Sequence, residues 1–252
     1  MKRLVDLLRI NEVRFTAIVL SVMTIGAVIS LRSNLMSGGA VPCMYDIYLV
    51  GVMHVVSTFC VPFALFYILF VERYNQRPMQ VIREGRVINV WKRSVVDLFI
   101  LTVFFTLYVF VLTTIAGLVL TDRFYNWNEL NSRCMAWSGR ICEEQPSFVL
   151  LLISYIVETF ETFLAAGIIM LGVWWGTNKE WAGYLASIAL ITVDKAGVCD
   201  GIIFSKYYIA GATYKKGLSI SNNVIYPLLA AIIVFALVNV LVRFKKKEFL
   251  GS

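Results

Sequence analysis

ERYNQRPMQVIREGRVINVWKRSVV, residues 72–96, is a polar island between two long apolar runs. It carries Arg73, Arg77, Arg83, Arg86, Lys92 and Arg93 against only Glu72 and Glu84. Translocation disfavours Lys and Arg, so basic residues clustered beside an apolar run mark the cytoplasmic side. The island therefore orients every other segment. It is also the largest cytoplasmic surface that the sequence offers to a soluble partner.

Composition leads to the same class. Of 252 residues, 59% are hydrophobic and 15% charged, and mean hydropathy is +0.76. Soluble domains carry about 25% charged residues. The expectation is an all-α integral membrane protein, one transmembrane domain over residues 1–252, multi-pass in the cell membrane. The formal charge of +7 comes from basic residues at span ends, so it does not point to nucleic acid.

Six spans are expected, with both termini cytoplasmic. The first covers 15–31. Ahead of it, residues 1–13 place Leu4, Leu7 and Leu8 opposite Asp6, Arg9 and Glu12. That suits an interfacial amphipathic helix, or else a turn continuous with the span. Charges of both signs follow the first basic pair and no small-residue cleavage site appears, unlike a signal peptide. The second span, 47–71, contains Pro62, which removes a backbone hydrogen bond and predicts a kink. It also holds the single histidine, His54, read as a packing residue; a His-based zinc site is not expected. The third span, 97–120, opens on Asp97, a charge that suits a helix N-terminus.

Residues 121–147 form an outer loop of nearly balanced charge, with Trp127, Trp137 and Tyr125 expected at headgroup level. The fourth run, 148–175, is about 42 Å long as a helix, against a core of about 30 Å. The apolar pieces 181–192 and 202–212 flank a polar, glycine-containing link. They suggest a span followed by a re-entrant outer segment over 194–223, whose irregular backbone must be buried in protein or line a cavity. The last span is 224–242, and RFKKKE follows it.

Four of the five cysteines, Cys43, Cys134, Cys142 and Cys199, fall on the outer side; Cys60 lies within the second span. Cys134 and Cys142 suit a disulfide in an oxidising space, with Cys43 and Cys199 as a second pair; the alternative is four reduced thiols.

Glu158 and Glu161 lie ten to fourteen residues into the fourth span and share a helical face. An ionised carboxylate there costs on the order of 3 kcal/mol. Either the pair lines a translocation path for a cationic or amphipathic substrate, or it pairs with Lys195 or Lys206, or it stays protonated against a neighbouring helix. No GxxxxGK[ST] phosphate loop occurs, so a motor for active transport would be another subunit.

In layout the chain resembles the permease subunit of small bacterial ABC-2 type exporters, the type V exporter fold. Residues 2–13 correspond to an elbow helix, 72–96 to a cytoplasmic coupling loop, 194–223 to a re-entrant segment and 243–248 to a basic tail. VIREGRVINVWKR and FKKKEF are similar to stretches of that family. The resemblance implies a homo- or heterodimer of permeases in the bilayer, bound to two ABC ATPase subunits that hold ATP and Mg; the permease itself binds no cofactor. Arg83, Glu84, Arg86, Trp91 and Lys92 become the expected ATPase contacts, the alternative being a solvated loop that only sets topology. The cysteine-bearing outer loop departs from the family. A peptide or small amphipathic compound is the expected cargo. The competing readings are a membrane-embedded enzyme using Glu158 and Glu161, and a sensor or immunity protein recruiting a cytosolic partner.

Overall fold

The computed structural model describes residues 11–36, 39–76, 81–82, 86–142, 145–195, 213–214 and 217–244. Within them the fold is helical. α1 covers Asn11–Leu35. α2 (Met44–Gly51) passes through a π-helical stretch (Val52–Cys60) into α3 (Val61–Asn75). α4 is Val87–Leu120, α5 Arg133–Ser138, α6 Phe148–Thr177 and α7 Glu180–Lys195. A second π-helical turn (Ser221–Ile225) leads into α8 (Tyr226–Phe244).

Among the described residues, five helical runs are long and apolar enough to cross a membrane: Arg14–Leu35, Met44–Arg73, Ile88–Leu120, Phe148–Thr177 and Ser221–Arg243. The expected count of six would include α7, whose described residues, Glu180–Lys195, make about 24 Å of helix before the chain leaves the described residues. α7 lies along α6. Gly183 sits against the Met170 carbonyl, where a Cβ would collide, and Ser187 Oγ donates to the Ala166 carbonyl at 2.8 Å. Small residues let two backbones approach this closely. Residues 1–10 of the expected elbow, and residues 196–212 of the expected re-entrant segment, lie outside the described residues; 11–13 belong to the same helix as the first span.

Pro62 does more than kink one turn. It offers no N–H, and its ring crowds the carbonyl four residues back. The upstream turns widen to accommodate it over nine residues. The Val61 N–H bonds the Val56 carbonyl. Ser57 and Thr58 hydroxyls donate to the carbonyls of Val52 and Met53, each at 3.1 Å and also five residues back.

Two expectations about helix ends are corrected. The polar island is not one loop: α3 runs on to Asn75 and α4 begins at Val87. Asp97 consequently sits in the third turn of α4, buried, not at a helix start. The reason is apolar: Val90, Trp91 and Leu98 are buried on one face, which extends the helix past the polar residues between them.

α6 is the central element and packs against α2, α3, α4, α7 and α8. It runs antiparallel to α4. Tyr155 OH meets Thr113 Oγ1 at 2.9 Å, Phe163 meets Phe105 at 5.9 Å between ring centres, and Gly167 admits Leu98. α1 is held at the side by Ser21 Oγ to Tyr108 OH, 2.6 Å, and Thr24 Oγ1 to Cys60 Sγ, 3.3 Å. Its opposite face, including Phe15, Ile18, Val22 and Ile29, is exposed, as a lipid-facing surface would be.

Candidate functional site

Three polar clusters lie at three depths of the bundle. The middle one contains Glu158 and Glu161, which are 2% and 0% exposed. They are the eleventh and fourteenth residues of α6, so roughly 15–20 Å from its first turn. Ser154 Oγ donates to Glu158 Oε1 at 2.8 Å, and Thr162 Oγ1 to the Glu158 carbonyl at 2.7 Å. Further hydroxyls are buried around this level: Thr102 and Thr106 on α4 and Thr159 on α6. Tyr48 OH adds a bond to Thr114 Oγ1 at 2.9 Å. The acidic pair predicted from its depth is thus in the protein interior, on a seam of exchangeable hydrogen-bonding groups. The side chain of Lys195, and the whole of Lys206, lie outside the described residues.

The cluster at the end of the bundle where α2 begins was not anticipated. Asp46, fully buried, is its hub. Its Oδ1 accepts from Trp127 Nε1 at 2.8 Å and from Tyr214 OH at 2.6 Å; its Oδ2 accepts the Cys43 N–H at 2.9 Å. The carboxylate thereby joins the start of α2, the loop before α5 and the chain ahead of the last helix. Trp127, expected at headgroup level, is fully buried within the protein, where its indole N–H has a carboxylate acceptor. Its ring lies 5.2 Å from Tyr214 and 5.6 Å from Tyr45, and Trp137 stacks on Tyr214 at 5.5 Å. Asn126 Nδ2 donates to the Val41 carbonyl at 2.7 Å, and the Val41 N–H to Asn131 at 2.8 Å, closing the cap over the bundle.

Cys43, Cys60 and Cys134 are free thiols, and no disulfide joins the cysteines among the described residues. The expected Cys134–Cys142 disulfide is therefore not formed here, and Cys199 lies outside the described residues. Cys134 Sγ instead approaches the carbonyls of Arg140 at 3.7 Å and Tyr214 at 3.8 Å. Burial pushes the Cys134 thiol up to about 11. Burial, then the Asp46 charge, pushes Cys43 and the Tyr214 phenol higher than their ordinary values. Thiols held protonated in this way are poor nucleophiles, so the cluster suits fastening more than covalent chemistry.

The third cluster lies where α3 meets α4 and α7. Glu72 is buried and accepts from Ser94 Oγ at 2.7 Å and Gln76 Nε2 at 2.8 Å, joining α3 to α4. Arg73 Nε donates to Glu180 Oε2 at 2.6 Å, joining α3 to α7. Of the expected ATPase contacts, Arg86 and Lys92 are exposed, while Arg83 and Glu84 lie outside the described residues. Trp91 is 3% exposed. Its indole meets Trp175 edge to face at 5.1 Å and donates to Asn239 Oδ1 at 2.8 Å. The structure thus uses this tryptophan inside the bundle. No family model, curated protein or solved structure matches the chain.

Proposed function

We propose that this chain is a membrane permease subunit that moves a cationic peptide or small amphipathic compound past Glu158 and Glu161, driven by a separate ABC-type ATPase. The observation that carries the reading is the burial of both carboxylates on the central helix of a membrane bundle. Ionisable groups at such depth are costly and face bundle interiors or wet paths. The neighbouring hydroxyls offer a passing ligand successive partners at low cost.

Energy enters at the polar island. The ATPase, holding ATP and Mg, docks on the segment around 77–91 through Arg83, Glu84, Arg86 and Lys92. Trp91 then serves as the transmitting residue, since it is wedged against Trp175 of α6 and Asn239 of α8. A rigid shift of α4 at this end reaches both helices. A second permease, identical or different, completes the pair that two ATPases require.

The test is co-expression of the tagged chain with the products of its neighbouring genes, capture from membranes, and transport in inside-out vesicles. Glu158→Gln and Glu161→Gln should abolish uptake while the ATPase is still captured. Arg86→Glu with Lys92→Glu should abolish capture itself. Unchanged uptake in the double glutamine variant removes the path; absence of any captured ATPase removes the energy source.

A further inference from the structure

We propose that the groove between α6 and α8 is a binding site for one acyl chain of an anionic phospholipid. Gly172, Trp175 and Gly176 of α6 face Val238, Leu241 and Val242 of α8 across a cavity of about 290 Å³. An apolar cavity of about 150 Å³ takes one benzene ring and stays free of water. A volume near twice that takes a length of alkyl chain.

The groove exists because of residue size. Gly172 lets α8 approach so closely that a Cβ would strike Val238. Gly176, one turn on, lines the same cavity with Leu241 and Val242. The lining carries almost no polar atoms, so water gains nothing by entering. Leu241 is 66% exposed, so the groove opens outward from the bundle, toward the bilayer. α8 is the least covered of the five long helices, with 11% of its apolar window buried in the protein. A lipid chain can enter sideways without any rearrangement of the core.

The charge of the lipid follows from the rim. Arg243 stands one residue beyond the wall and is exposed. A basic residue at the end of a span attracts an anionic headgroup. A tail in the groove places its headgroup at this rim, so apolar and ionic recognition act on the same molecule. The site needs no transport activity to be filled.

The experiment uses the full chain in nanodiscs of phosphatidylcholine containing a phosphatidylglycerol with a photoreactive group on one acyl chain. Labelled peptides are then located by mass spectrometry. The expected result is labelling concentrated on residues 172–176 and 238–242, above that on the exposed face of α1. Gly176→Leu and, independently, Val173→Trp should each lower groove labelling to the α1 level while leaving α1 labelling unchanged. Arg243→Gln should lower the preference for phosphatidylglycerol over a phosphatidylcholine probe by about fivefold. Even labelling over all lipid-facing helices overturns the proposal, as does groove labelling indifferent to headgroup charge. Crosslinks from residues 238–242 to a second copy, with no lipid label there, assign the groove to a protein partner and overturn it too.

Discussion

The indole N–H of Trp91 donates to Asn239 Oδ1 across 148 residues of sequence. It joins the second turn of α4 to the penultimate turn of α8. Asn239 completes the contact by donating its own amide to the Phe235 carbonyl at 2.7 Å, which fixes the direction of its oxygen. The ring also packs on Trp175, so one residue ties three helices at one end of the bundle.

Removing the two halves of that contact should give unequal costs. Hydrogen bonds between membrane helices average about 0.6 kcal/mol, whereas truncating a buried tryptophan costs about 3–5 kcal/mol. Asn239→Leu should therefore shift thermal unfolding in detergent slightly and Trp91→Ala strongly. Equal shifts would mean that the ring packing contributes little.

The Asp46 hub should be the most sensitive polar position at its end of the bundle. Asp46→Ala leaves three buried donors without their acceptor, at about 1–3 kcal/mol each. Tyr214→Phe removes one donor and leaves the carboxylate bonded to Trp127 and Cys43. Unfolding temperatures should fall much further for the first than for the second, with Asp46→Asn between them. A stable Asp46→Ala protein would contradict the assigned hub.

Arg73 and Glu180 make the opposite case. Their side chains are 54% and 34% exposed, and water screens such a pair to about 0–1 kcal/mol. Arg73→Gln should change stability little, and the small loss should vanish in high salt. A large, salt-resistant loss would show that the pair is dehydrated where α3 meets α7.

The buried Cys134 thiol, raised to about 11, stays protonated at neutral pH. Only the thiolate reacts with alkylating reagents. Labelling of Cys134 by a small reagent should be slow near pH 7 and rise about tenfold per pH unit toward that value. Rates that level off near pH 8.5 would indicate an ordinary, solvated thiol.

Much of the helix inventory was legible because apolar runs of span length have few other uses. The depth of Glu158 and Glu161 along their run was legible for the same reason. The Asp46 hub was not. Asp46 reads as part of a polar loop, and its partners Trp127 and Tyr214 lie 81 and 168 residues away. Its helix start has Cys43 where a capping box usually has Ser or Thr, which weakens the local signal. Trp91 misled for a related reason. Set among Arg86, Lys92 and Arg93, it reads as a surface residue, yet α4 turns it to the face opposite its charged neighbours.

The nine π-helical residues Val52–Cys60 make one part of the second span tolerant of changes in length. Each residue of an α-helix turns the chain by about 100°. Deleting one residue elsewhere in this span would swing everything beyond it by that angle, carrying buried Tyr67 toward lipid. A deletion within the wide turns can be absorbed by their return to ordinary α geometry, with both ends kept in place. The stretch ahead of Pro62 is therefore where shortening by a single codon would do the least harm.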